Sequence, residues 1–194
     1  MTQTTYIGLD LETTGLDPAN SDIVEIAMIA FDDRLREVAH FTSLVYSTEA
    51  DYARYTSLDD VVDRMHTESG LWDDIDTYID THGGRDLLPR AVQNRALEWI
   101  DSLDMTVHKP MMVGNSITFD RTLLAAEMPA LLDRFSHRSL DATSVIEAAA
   151  LTGADPDKLR ADAQGGATKH RALDDLRTAA RQIALAIDAI QSKQ

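Results

Sequence analysis

The chain has 194 residues, enough for one domain around one core, and its 44% hydrophobic and 26% charged residues are the balance of an ordinary globular fold. No apolar run approaches the roughly 20 residues of a membrane span. No basic-then-apolar leader opens the sequence, and the lack of cysteine excludes disulfides and thiolate metal sites and suits a reducing cytoplasm. A net charge of −15 argues against a broad basic face that grips long nucleic acid by its phosphates. Either the protein has no nucleic-acid partner, or its contact is short and mediated by cations.

Residues 5–11 (TYIGLDL) predict a strand that ends near the turn Thr14-Gly15. A second apolar run, 23–31 (IVEIAMIAF), predicts another strand, and Asp32-Asp33-Arg34 predicts a hairpin into a third at 38–46 (VAHFTSLVY). The three read as an antiparallel meander. From about residue 56 the period changes: Leu58, Val61, Val62 and Met65 recur at helical spacing, with Ser57 as N-cap. A longer helix is predicted over 86–103, a short buried strand at 111–114 (MMVG), and a helix through Leu123 and Leu124. Another short strand follows at 139–141 and a helix at 142–150. The stretch 152–169, with Gly153, Pro156, Gly165 and Gly166, reads as loop-rich, and 171–190 as the terminal helix. Strands first and alternating β and α later predict an α/β fold. Its mixed sheet combines the antiparallel meander with parallel strands, and helices flank it. There is no repeat, low-complexity segment or long linker, so 1–194 reads as a single domain.

Three constellations carry chemistry. In a strand, alternate side chains share a face, so Asp10 and Glu12 point one way while Leu9 and Leu11 point the other. Two adjacent carboxylates repel each other unless a cation lies between them, and hard divalent ions take such oxygen ligands. Alone, the pair reads more readily as a solvated strand end. Asp120 follows the strand MMVG and the segment Asn115-Ser116-Ile117-Thr118, where α/β sheets gather their sites, although an aspartate there is commonly only a helix cap. His170 precedes a helix that buries Leu173, Leu176, Ala180, Ile183 and Ile187. At about 100° per residue, Asp175 falls near the edge of that stripe and Asp174 roughly opposite its centre. Asp175 is therefore the expected ligand and Asp174 the solvent-facing neighbour.

Taken in order, D-x-E, then Asp, then H-x4-D form one arrangement. The sequence resembles the DEDDh 3′→5′ exonucleases and, within them, the oligoribonucleases. The resemblance rests on LDLETTGLD at 9–17, MHTESGL at 65–71, VGNSITFDRTLL at 113–124, MPALLDRF at 128–135, RSLD at 138–141 and HRALDDLR at 170–177. The GNSI-x-x-DR and MH-x-x-SGL segments belong to the oligoribonuclease branch. The D-x-E-T-T-G opening is shared with proofreading exonucleases.

The resemblance implies a ribonuclease-H-like fold and hydrolysis of short single-stranded RNA to nucleoside 5′-monophosphates. It also implies two divalent ions, Mg²⁺ or Mn²⁺, held by Asp10, Glu12, Asp120 and Asp175, with His170 taking a proton from the attacking water. By position it carries Leu16 and His66 over as substrate residues. Ser116, Arg138, Thr143 and Ser144 carry over as a cap on the terminal phosphate, the arginine reaching in from the second subunit of a homodimer. Three departures bear on substrate choice. Glu12-Thr13-Thr14-Gly15 stands where oligoribonucleases usually have E-M-T-G. His137 stands where a stacking tyrosine usually precedes the arginine, and Val61 stands where some members have tryptophan. A DNA 3′→5′ exonuclease of the proofreading or trimming type is the alternative these departures keep open.

Overall fold

The computed structural model describes residues 3–46, 60–165 and 170–192. Strand β1 (Tyr6–Thr13) pairs antiparallel with β2 (Ile23–Phe31), and β2 pairs antiparallel with β3 (Glu37–Leu44). On its other side β1 runs parallel to β4 (Met111–Gly114), and β4 runs parallel to β5 (Ser139–Asp141), which gives the order β3-β2-β1-β4-β5. This mixed five-stranded sheet flanked by helices is the ribonuclease-H-like arrangement. The meander closes tightly because Asp32 caps its own turn. Its carboxylate accepts from the amides of Arg34 and Arg36, and Leu35 takes the left-handed backbone at φ 57°.

The helices follow in chain order: α1 (Asp60–Glu68), α2 (Leu71–His82), α3 (Pro89–Asp101), α4 (Thr118–Glu127), α5 (Pro129–Leu132), α6 (Ala142–Leu151), α7 (Pro156–Gln164) and α8 (Ala172–Gln191). None among the described residues is long and apolar enough to cross a membrane. One face of β1, through Ile7, Leu9 and Leu11, packs with Val92, Ala96 and Ile100 of α3 and Leu123 and Leu124 of α4. The other face receives Leu176, Ala179, Ala180 and Ile183 of α8, which pack with Ile29, Phe31 and Val113. Helix α8 lies against β2, β1 and β4, so one amphipathic helix spans the middle of the sheet.

Three segments differ from the sequence-based expectation. Helix α2, not foreseen, begins after Gly70 and ends at Gly83, both in the left-handed conformation that glycine adopts without strain. Its core residues Leu71 and Ile75 recur at i, i+4, a helical signal that the run of aspartates around them obscures. In the stretch 152–169, expected to be loop-rich, α7 occupies 156–164. Asp155 caps its first turn, Pro156 sits at the first helical position where its missing N–H costs nothing, and Gly165 ends it. Proline and glycine here delimit a helix and do not exclude one. The helix expected over 86–103 starts only at Pro89, behind a 3-10 turn at Arg85–Leu87. The N-cap reading of Ser57, and the core position of Leu58, lie outside the described residues.

Gly8 sets how closely α8 approaches β1. A Cβ at this position would lie 2.7 Å from a ring carbon of Phe31 and 2.9 Å from a methyl of Leu176, and both side chains belong to the packed core. Gly8→Ala should therefore cost about 1–3 kcal/mol of stability in denaturant unfolding, the scale of core overpacking. It should also lower activity, because Leu176 adjoins Asp175. A Gly8→Ala variant as stable as the parent would mean that α8 stands further from the sheet than described.

Candidate active site

The antiparallel register places Glu12 opposite Glu25, Asp10 opposite Ala27 and Gly8 opposite Ile29. With side chains alternating along each strand, all six positions face α8. Asp10 and Glu12 thus rise toward the helix, as the strand period predicts. Asp175, in the first turn of α8, joins them on the wall of a cavity of about 340 Å³. Asn115, Gln164, Thr178 and Gln182 complete the polar lining. Asp174, one residue earlier, is directed away and stands 3.9 Å from Arg177. Asp120 enters from the first turn of α4 and is buried. The strand β4 that leads to it ends at Gly114, where a Cβ would lie 2.7 Å from the Leu9 carbonyl oxygen, so β4 and β1 meet closely at the site.

The electrostatics follow from crowding like charges in a dry place. Burial, and then the charges of Asp120, Glu12, Asp175 and Glu25, push the Asp10 carboxyl well above the usual carboxylate range. Burial, reinforced by Asp175 and Glu25, raises Glu12 to about 8, with Arg171 acting in the opposite direction. Asp120 is pushed up to about 7, chiefly by burial. Asp175 is raised by burial as well, and the nearby His170 opposes that rise. A divalent cation is the group that would relieve this repulsion, and the donor set, carboxylate oxygens only, suits Mg²⁺ or Mn²⁺. Among the described residues, no three Asp, Glu or His side chains stand at common chelating distance. The two facts are compatible, since Coulomb coupling acts over several ångströms and inner-sphere Mg²⁺ bonds over about 2.0–2.1 Å.

His170 stands immediately before α8, half-buried, in left-handed backbone at φ 47°. That conformation is uncommon for a residue with a Cβ and persists only where its surroundings hold it.

The residues expected at the substrate fall into three groups. Leu16, on the loop after β1, is 81% exposed and takes no part in the core. Ser116, Thr143 and Ser144 are exposed and lie together. Asp141 caps α6 by accepting from the amides of Thr143 and Ser144, and its second oxygen accepts from the amide of Ile117. Thr143 donates its hydroxyl to Asn115, which lines the carboxylate cavity. His137 and Arg138, exposed at the start of β5, line no part of that cavity, and the Arg138 guanidinium pairs with no carboxylate among the described residues. His66 differs from its expected place as a substrate contact. Its ring is fully buried, edge-on to Trp72, and Nε2 donates to the Thr13 carbonyl oxygen at 2.8 Å. Nδ1, 3.9 Å from Glu12 Oε2, has no hydrogen-bond partner among the described residues. A ring with no exposed surface supports the end of β1 from within and touches nothing outside.

Sequence reasoning passed over Glu25 and Arg171. Glu25 is the one acid inside the apolar run 23–31, and a buried charge in a strand requires a partner. That partner is Arg171, the residue after His170.

Comparison with known proteins adds a second line. Residues 7–83 match the family model described as Exonuclease, RNase_T. The oligoribonuclease of Acinetobacter baylyi is 34% identical over 177 residues, covering 90% of this chain and 87% of that protein. The oligoribonuclease of Pasteurella multocida is 32% identical over 92% of this chain and 89% of its own length. That of Cutibacterium acnes is 28% identical over 91% and 81%.

Proposed function

Because the chain belongs to the oligoribonuclease family, we propose that it is a 3′→5′ exoribonuclease that degrades short single-stranded oligoribonucleotides, down to dinucleotides, to nucleoside 5′-monophosphates. The observation that carries this reading is the cavity where Asp10, Glu12 and Asp175 converge, with no lysine or arginine among the described residues of its wall. Exonucleases of this family depend in general on divalent metal. We take the ions to be two, Mg²⁺ or Mn²⁺, held by Asp10, Glu12, Asp120 and Asp175. When bound they supply the positive charge that stabilises the attacking and leaving oxygens of an in-line displacement at phosphorus.

His170 accepts a proton from water as the water oxygen bonds to phosphorus and the bond from phosphorus to the 3′ oxygen breaks. That oxygen leaves with a proton, which yields one nucleoside 5′-monophosphate and a chain one residue shorter. Leu16 offers an exposed apolar surface to a base. Thr143 and Ser144 sit in the first turn of α6 and Ser116 on the loop before α4, and their hydroxyls suit a phosphate. His137 and Arg138 reach the site of a second copy in a homodimer, in keeping with their lining no part of the cavity of their own chain. A net charge of −15 disfavours long polyanions beyond the reach of the ions, so the substrate is short, and a chain without cysteine suits a reducing cytoplasm.

A time course on 5′-labelled RNA of two to ten nucleotides, with DNA of the same lengths alongside, tests this reading. Label should move stepwise to shorter products, with diribonucleotides consumed fastest. DNA consumed faster than RNA at every length would make the protein a trimming deoxyribonuclease instead.

The shared-site arrangement makes its own prediction. Losing a charge-assisted contact costs roughly 1.5–3 kcal/mol, so Arg138→Ala should weaken binding of a 5′-phosphorylated dinucleotide by about one to two decades and that of longer strands far less. Mixing inactive Asp10→Asn with Arg138→Ala should restore activity, because a mixed dimer has one site with intact carboxylates and a donated arginine. A strictly monomeric protein, or exchanged subunits that stay inactive, would contradict the arrangement.

A further inference from the structure

We propose that Arg171 is a positioning residue: with Glu25 it clamps the first turn of α8 to β2 and thereby fixes His170 and Asp175 against Asp10 and Glu12. The proposal rests on the nuclease reading of that site. Nε and Nη2 of Arg171 both donate to Glu25 Oε1, at 3.1 and 2.7 Å, a two-pronged grip in which Nε also reaches Oε2 at 3.3 Å, and Nη1 donates to Asp74 Oδ2 of α2 at 2.7 Å. The amide of Ala172 donates to the second Glu25 oxygen at 2.9 Å. Glu25 is buried and stands in register opposite Glu12, so the clamp grips β2 beside a proposed metal ligand.

The start of α8 has no cap of its own. Arg171 occupies the N-cap position without a side-chain cap bond, and its carbonyl accepts from the amides of Asp174 and Asp175. The carboxylate of a neighbouring strand therefore does what a local cap does elsewhere, and it ties the helix to the sheet at the same time. Asp175 follows the clamp within one turn. His170 precedes it directly, in a left-handed backbone that only its surroundings hold in place. Only a planar guanidinium spans Glu25 and Asp74 at once, since an ammonium cannot match the two-pronged geometry.

The experiment measures Mn²⁺ affinity by calorimetry, and kcat and KM on a 5′-phosphorylated diribonucleotide, well below the melting temperature. Arg171→Lys and Glu25→Gln should each weaken Mn²⁺ binding roughly 10- to 100-fold, the range for residues that orient metal ligands, and lower kcat with KM little changed. Asp74→Asn, which removes only the exposed arm, should stay within about twofold of the parent on both measures. Arg171→Ala strands a buried carboxylate and is expected to fold poorly, which is why the lysine and glutamine variants carry the test. Folded Arg171→Lys and Glu25→Gln with parental Mn²⁺ affinity and kcat would overturn the proposal and leave the pair a structural tie. A parent that binds no Mn²⁺ would overturn the metal reading beneath it, and that failure shows in the parent and not in the variants.

Discussion

Asp175→Asn is expected to remove most hydrolysis, on the order of 10²- to 10³-fold in kcat, the scale of one preorganised electrostatic group. Asp174→Asn, one residue away, should stay within about twofold. The contrast comes from the helix alone. Asp175 is carried onto the cavity wall with Asp10 and Glu12, while Asp174 stands toward Arg177 at 3.9 Å. Both side chains lie in the same turn, so propensity and dipole effects are nearly matched and cancel in the comparison. Equal losses at both positions, measured on the same diribonucleotide, would place the helix in a different rotation.

The second large effect concerns stability, and it has an opposite sign to activity. Burial pushes the Glu12 carboxyl from its ordinary 4.5 up to about 8 and that of Asp120 from 3.8 up to about 7. A carboxyl with a raised folded pKa binds its proton more tightly in the folded state. It costs nothing below its ordinary pKa, and the penalty grows as pH climbs toward the raised value. In chelator, the protein should therefore lose thermal stability from about pH 4.5 to 8. Glu12→Gln should remove part of that loss, so the inactive variant melts above the parent at pH 8 and near it at pH 4.5. Saturating Mg²⁺ or Mn²⁺ should reverse the order by raising the parent's midpoint roughly 5–10 °C at 100 times the dissociation constant. A Glu12→Gln variant that melts below the parent at pH 8 in chelator would show that these carboxylates are not in repulsion.

How much of this the sequence discloses depends on the range over which each signal acts. The strand runs 5–11 and 23–31, the short strand 111–114 and the terminal helix rest on local periodicity, and the structure has them where the period puts them. The orientation of Asp10 and Glu12 follows from alternation along a single strand, and the preference for Asp175 over Asp174 from a single helix. The clamp between Glu25 and Arg171 joins residues 146 positions apart, and no local pattern encodes that pairing. The burial of His66 likewise depends on Trp72 and the Thr13 carbonyl, which only the folded chain brings together. Helix α7 illustrates a different limit: the residues that begin and end a helix, Asp155, Pro156 and Gly165, are also those of loops.

The most direct test of the central claim, a divalent-metal nuclease site built from Asp10, Glu12, Asp120 and Asp175, is a Mn²⁺ titration of chelator-treated protein with a 5′-phosphorylated diribonucleotide present. Ion binding and nucleoside 5′-monophosphate release would be followed together. The account expects no turnover in excess chelator and recovery as Mn²⁺ binds, with two ions per active site in the substrate complex and both signals lost in Asp10→Asn. Full hydrolysis in excess chelator, or unchanged Mn²⁺ binding by Asp10→Asn, would contradict it.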